Sequence, residues 1–169
     1  VEIEAAIMAD GLKDDHDLGK VDSAAFHRRF CQRLGVNLPL NDFVAAWGGV
    51  FQPLPGAFDV LGKLLAGFDV FCLSNTDPIH IDAVSRTYPW WRAMAGHHLS
   101  YEVGVLKPDV NFYISALRRF GHRPEDLLFA DDRAENREGA RQVGVEAVAV
   151  DPARGLASLA ERLLGRSGG

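Results

Sequence analysis

Three short apolar runs, Val70–Leu73, Leu127–Ala130 and Ala147–Val150, are separated by stretches of helical period. That alternation narrows the folds open to the chain more than any other feature. Apolar strands divided by helices predict an α/β fold, a parallel sheet with both faces covered. The helices follow from their periodicity. One carries Phe58, Leu61, Leu64 and Leu65 and stops near Gly67. A second opens at Asp77-Pro78 and runs through Ile81 and Val84. A third starts at Pro108, turns Phe112, Ile114 (or Tyr113) and Leu117 inward, and stops near Gly121. A fourth follows Asp131-Asp132 and ends at Gly144. A short amphipathic helix closes the chain to Leu164, ahead of a Gly/Ser tail from Gly165 that is expected to fray. His98–Val103 reads as a further short strand, with His97 and His98 at its edge.

The first 52 residues read differently. Phe26, Phe30 and Leu34 recur at helical spacing, and Asp22-Ser23 supplies a helix start. A second helix carries Phe43 and Trp47. Gly48-Gly49, Pro53 and Pro55 close this part, so the turn at Pro53–Gly56 divides a small helical segment, residues 1–52, from an α/β segment, residues 53–169. A length of 169 residues suits about one domain with a small insertion. The net charge of -5 argues against nucleic acid, whose phosphates demand a basic face. Two distant cysteines, Cys31 and Cys72, form no disulfide framework, which suits a reducing cytoplasm, and Cys72 reads as a small core residue. No apolar run approaches the roughly 20 residues that cross a bilayer. The opening, with Glu2 and Glu4, lacks the basic start of a secretory signal. A cytoplasmic protein with no membrane partner is the expectation.

Three polar groups fall where ligands bind in a parallel sheet, at the carboxyl ends of strands. Ser74-Asn75-Thr76 ends one strand and precedes a helix, a natural phosphate seat, although Ser74 or Thr76 could equally cap that helix. Asp131-Asp132 ends another. Adjacent buried carboxylates repel unless a cation is present, and magnesium takes one or two carboxylates plus water and phosphate oxygens. Asn136, four residues on, is placed to orient metal waters or an aspartate. Lys107, beside Pro108, offers a compact charge for a phosphoryl group. His80, His97 and His98 lack zinc-ligand spacing. Asp10-Gly11 and the acidic residues Asp14, Asp15 and Asp17 follow no apolar strand and read as a solvated loop or helix start.

Taken in order, Leu73-Ser74-Asn75-Thr76, His98–Gly104, Lys107-Pro108, Phe129-Ala130-Asp131-Asp132 with Asn136, Gly139-Ala140-Arg141 and Gly144 resemble the haloacid dehalogenase-like hydrolases. Gly19, Phe26, Phe43 and Trp47 resemble the small helical cap of one subgroup, which includes sugar-phosphate phosphatases. The resemblance runs from about residue 15 to 151. It implies a Rossmann-like core with a cap at residues 1–52, and a phosphatase acting on a small phosphorylated metabolite through an aspartyl-phosphate. Ser74 and Lys107 would hold the phosphoryl oxygens, with Asn75 and Thr76 beside them. Asp131 would ligate magnesium, and Asp132 would support it. The cap would set substrate choice.

The resemblance also implies a central strand ending in Asp-x-Asp ahead of the cap, and nothing in Val1–Asp17 fits it. The expectation is therefore an N-terminally incomplete phosphatase whose 169 residues bind metal and phosphate weakly and do not turn over. Two other readings stay open. A 2-haloacid dehalogenase needs no magnesium and resembles Ser-Ser-Asn where this chain has Ala130-Asp131-Asp132. A non-catalytic binding module would have lost its nucleophile. The cluster Tyr88-Pro89-Trp90-Trp91 reads as core or as an exposed patch, and a homodimer is one assembly compatible with it.

Overall fold

The computed structural model describes residues 9–153 together with Leu156, Leu159 and Leu163. The helix read to Leu164 and the tail from Gly165 fall largely outside these residues. The described chain forms two compact units. The first holds residues through Phe51, Ser74–Trp91 and His98–Leu106. The second holds Gln52–Leu73, Arg92–His97 and the chain from Lys107 on.

The first unit is helical. Its helices are α1 (Leu12–Asp17), α2 (Ser23–Leu34), α3 (Leu40–Gly48), α5 (Pro78–Thr87) and the single turn α6 (Ser100–Val103). In chain order α4 (Ala57–Gly67) belongs to the second unit. Helix α2 starts where Asp22 accepts a bond from the Ala25 N–H at 2.7 Å, satisfying one of the orphan donors of a helix N-terminus. Its inward face meets α1 and α3 in an aromatic core. Phe26 is fully buried, stacks on the His16 ring, and meets Phe30, Phe43 and Trp47 with centroids 5.0–6.4 Å apart. Leu12, Val21 and Ile79 complete this core. Helix α3 lies close on α5: a Cβ on Gly48 would come within 2.9 Å of the Ala83 methyl. Gly19 turns the chain between α1 and α2 with φ 70°, and a Cβ there would meet the Tyr101 carbonyl oxygen at 2.3 Å, so only glycine fits.

The second unit carries the α/β pattern. Strands β3 (Leu128–Asp131) and β4 (Glu146–Ala149) pair in parallel, from Leu128 opposite Glu146 to Asp131 opposite Ala149. Helix α8 (Ala134–Gln142) connects them and packs on both, while α7 (Val110–Phe120) packs on α8. Strands β1 (Phe71–Ser74) and β2 (Gly96–Leu99) form a separate two-stranded sheet. Among the described residues, β1 and β3 each have a strand neighbour on one side only. A cavity of about 430 Å³ in this unit has Phe71, Leu73, Leu128, Phe129 and Ala130 among its lining residues. No helix among the described residues is long and apolar enough to cross a membrane.

Two local expectations are corrected. His98–Val103 is not a strand: β2 ends at Leu99, and Ser100–Val103 winds into α6, which Gly104 stops at φ 70°. A Ser side chain engaged with backbone elsewhere and a left-handed glycine four residues on favour a turn over an extended run. Pro108 does not begin α7. Asp109 caps it, accepting the Asn111 N–H at 2.8 Å, and the helix runs from Val110. That phase sends Phe112, Tyr113 and Ala116 inward rather than Ile114. In the Tyr88–Trp91 cluster the three aromatic residues are half-buried, Pro89–Ala93 forms a 3-10 turn, and Tyr88 stacks on Trp90 at 5.4 Å.

Gly139 sets how closely α8 approaches the segment after Lys107. A Cβ at this position would lie 2.4 Å from the Pro108 carbonyl oxygen and 2.8 Å from the Tyr113 ring. Gly139→Ala is therefore expected to destabilise by about 1–3 kcal/mol, the range for forced overpacking. Gly62→Ala, in an exposed stretch of α4 with nothing within 4 Å, is expected to stabilise by about 0.5–1 kcal/mol. Urea unfolding of the two variants checks the contrast, and equal effects would refute the packing argument.

Candidate active site

In the second unit three of the sequence-selected residues converge at the carboxyl end of β3. The apolar strand carries Asp131 to a buried position at its tip. Lys107 reaches it: its Nζ donates to Asp131 Oδ2 at 2.7 Å and to the Leu73 carbonyl at 2.9 Å. Both side chains are under a tenth exposed. The Lys107 ammonium also lies 5.3 Å from the centre of the Phe129 ring. Asn136, in the first turn of α8, donates from Nδ2 to Asp131 Oδ1 at 3.0 Å and to Oδ2 at 3.2 Å. The Arg133 N–H adds a bond to Oδ1 at 2.9 Å. Asn136 is itself held, since Tyr113 donates its hydroxyl proton to the Asn136 carbonyl at 2.7 Å.

These contacts decide the charge state of Asp131. Burial pushes its carboxyl up, but the Lys107 bond and charge, the Arg133 N–H and Asn136 outweigh that and hold it below the usual carboxylate range. Burial pushes the Tyr113 hydroxyl up, and the Asp131 charge adds to this, so the phenol stays a donor. Cys72, on β1, has its thiol pushed up to about 11, mainly by burial against a smaller opposing effect of Lys107, and is no nucleophile at neutral pH.

Asp132 is placed differently. It is exposed, and among the described residues its carboxylate takes no hydrogen bond; only its carbonyl does, from Arg137 Nη1 at 2.7 Å. The same guanidinium nitrogen donates to the Asp131 carbonyl at 2.9 Å. Arg137 thus pins the backbone of the pair and leaves the second carboxylate open. The donor chemistry fits magnesium: one ionised, fixed carboxylate beside one open carboxylate, all hard oxygen.

Ser74, Asn75 and Thr76 belong to the first unit. The Ser74 hydroxyl donates only a long 3.4 Å bond to the Asn75 carbonyl. Thr76 is buried, and Ser100 serves its backbone twice: Ser100 Oγ accepts the Thr76 N–H at 2.9 Å and donates to the Thr76 carbonyl at 3.1 Å. Neither Ser74 nor Thr76 caps α5. Asp77 does, its Oδ1 accepting the N–H groups of Ile79 and His80 at 3.0 Å each. The other oxygen, Oδ2, accepts the Trp47 indole N–H at 3.0 Å and faces His80 Nδ1 at 2.9 Å. Burial pushes the Asp77 carboxyl up, yet the His80 contacts and the Trp47 bond hold it well below the usual range.

Sequence reasoning did not single out this cluster. Asp17, expected in a solvated stretch, is buried and paired with Lys13, and His16 beside it is fully buried. The i,i+4 spacing of Lys13 and Asp17 was the one available signal. Asp14 is exposed as expected, and His98 lies on β2, where it is buried.

The sequence profile of the haloacid dehalogenase-like hydrolases matches residues 8–144. The chain is 24% identical over 143 residues to a D-ribitol-5-phosphate phosphatase of Bacteroides thetaiotaomicron, covering 80% of this chain and 69% of that one. Among solved structures it is similar to a haloacid dehalogenase family enzyme of the same organism in complex with magnesium and inorganic phosphate. That likeness has a TM-score of 0.84 and 24% identity, over 94% of this chain and 83% of the other. An L-2-haloacid dehalogenase of Xanthobacter autotrophicus is similar with a TM-score of 0.66 and 21% identity, over 99% and 71% of the two chains. The α/β fold is shared with these enzymes, and the chain belongs to the haloacid dehalogenase-like hydrolases.

The Lys107–Asp131 pair makes a testable statement about stability. A carboxyl held below its unfolded value contributes stability that is full above about pH 4 and is lost as pH falls through the lower folded value. Lys107→Met leaves Asp131 buried without its cation and is expected to cost about 3–5 kcal/mol at pH 7. The gap between wild type and variant should narrow at pH 3, where Asp131 takes up a proton in the variant. Urea unfolding at the two pH values reads this directly; a gap that does not change with pH would rule out the ion pair as its source.

Proposed function

We propose that this haloacid dehalogenase-like hydrolase is a magnesium-dependent phosphatase of small phosphate esters, sugar phosphates or sugar-alcohol phosphates among them. The observation that carries the reading is the division of labour at the end of β3. Asp131 is consumed by Lys107, Asn136 and the Arg133 N–H, while the Asp132 carboxylate has no protein donor among the described residues. Asp132 is therefore assigned as the carboxylate that holds magnesium, and Asp131 as the one that fixes Lys107 and lends its charge. This shifts the metal-holding weight from Asp131, favoured on sequence, to its neighbour.

Phosphoryl transfer asks mostly for positioning and for neutralisation of charge on the phosphoryl oxygens. Magnesium would supply that neutralisation and polarise the phosphoryl group. Lys107 supplies a compact positive charge that is oriented before substrate arrives, because Leu73 and Asp131 fix its ammonium. Asn136 and Tyr113 keep the Asp131 carboxylate from rotating. Ser74, Asn75 and Thr76 are proposed as phosphate-binding residues; their place after β1 and the clamped backbone of Thr76 support this. The 169 residues contain no apolar run ending in Asp-x-Asp, so the attacking carboxylate is not assigned to any residue here. The relative that acts on D-ribitol 5-phosphate supports phosphorylated polyols as the first substrates to try.

Calorimetric titration with magnesium and inorganic phosphate tests the assignment. Asp132→Asn should weaken magnesium binding by about tenfold or more, the order seen when support of a metal site is removed. Phosphate binding should lose its dependence on magnesium in the same variant. Phosphate release from a panel of sugar and polyol phosphates, with and without chelator, tests the reaction class. Magnesium binding unchanged in Asp132→Asn, or chloride release from 2-haloacids without any metal, would overturn the reading.

A further inference from the structure

The first unit holds a second cluster of charged residues that the proposed phosphatase chemistry does not use. His16, Asp17 and Asp77 are all buried, and one ligand atom from each lies within 4.8 Å of the others. We propose that this cluster is a cation site for a borderline divalent metal such as Zn²⁺ or Co²⁺, held in its metal-free form by the ammonium of Lys13.

His16 carries the argument. Its ring is fully buried and stacked on Phe26 at 4.2 Å between centroids, with the planes 9° apart, so it cannot turn freely. Its Nε2 pairs with the Ser23 hydroxyl at 3.3 Å. Its Nδ1 has no hydrogen-bond partner and points at Asp77 Oδ2, 3.8 Å away. With the ring proton on Nε2, a buried lone pair on Nδ1 lies 3.8 Å from a carboxylate oxygen. A cation between the two would turn that repulsion into attraction.

Lys13 supplies one. It pairs with Asp17 and comes within 3.8 Å of Asp77 Oδ2, which marks where a cation sits. The compensation is incomplete. Burial pushes the Asp17 carboxyl up, and Lys13 offsets this only in part. Burial likewise lowers the pKa of the His16 ring, against an opposing pull from Asp77. The Lys13 side chain is about a fifth exposed, so its ammonium can swing into solvent when a metal enters.

The ligand set selects the metal. One imidazole nitrogen with two carboxylates suits zinc or cobalt, whereas magnesium wants oxygen alone. The site is thus chemically distinct from Asp131-Asp132. A metal here would tie α1 to the residue that caps α5, directly after Thr76.

Titration of the whole chain with Co²⁺, followed by its visible absorption, tests the site. One equivalent should bind with an imidazole–carboxylate spectrum, and Zn²⁺ should displace it. Lys13→Met removes the competing ammonium and should tighten Co²⁺ binding by about tenfold or more, as for any ligand relieved of an occluded state. Asp17→Asn and His16→Ala should abolish it, with far-UV circular dichroism confirming that each variant folds. Asp132→Asn should leave it unchanged. Failure of Lys13→Met to bind one equivalent of Co²⁺, or binding that survives in Asp17→Asn, would overturn the proposal.

Discussion

The second unit is organised around the buried ion pair of Lys107 and Asp131. Taking the Lys107 ammonium and the Asp131 carboxylate out of water costs several kcal/mol for each ion, and their mutual attraction offsets this only if every remaining donor and lone pair is satisfied. Here the surroundings supply several of those partners. Lys107 has the Leu73 carbonyl as a second acceptor, and Asp131 has the Arg133 N–H and both contacts from Asn136. The tip of β1, the segment before α7 and the start of α8 are therefore fixed by one charge balance. The same contacts leave the Lys107 ammonium oriented, while the Asp132 side chain is exposed.

In the first unit the buried charge of Asp77 is handled by another route. Asp77 takes no lysine at bonding distance; the nearest, Lys13, is 3.8 Å away. It relies on the N-terminus of α5, where two backbone N–H groups and the helix dipole favour an anion, and on Trp47 and His80. Helix capping and aromatic packing are thus joined at one carboxylate. His80 stacks on Trp47 at 5.5 Å with nearly parallel planes, and its Nε2 faces the Trp47 carbonyl at 3.0 Å.

What the sequence made legible follows from the range of the forces involved. Helix starts at Asp22 and Asp77 were readable because capping is local: the side chain bonds N–H groups two or three residues on. The strand tips at Ser74 and Asp131 were readable because an apolar run that stops at a polar residue has few other meanings. The turn at Ser100–Val103 was not, since four residues carry no period, and what decides their winding is the hydrogen bond to Thr76, 24 residues away in sequence. Asp17 was missed for the same reason. An acidic stretch reads as solvated unless the fold buries one member, and here Asp17 is buried and paired with Lys13 while Asp14 is exposed. The roles of Asp131 and Asp132 could not be separated in sequence, because the distinction lies in which side chains reach them.

Because Asp77 answers to Trp47, to His80 and to the backbone of its own helix at once, none of these three positions can drift alone. Exchange of Asp77 for asparagine would keep the cap but remove the charge that the His80 ring faces. Exchange of Trp47 for phenylalanine would keep the packing but leave Oδ2 short of a donor. In lineages descended from this sequence, positions 47, 77 and 80 should therefore be inherited as a correlated set, with changes at one followed by changes at the others.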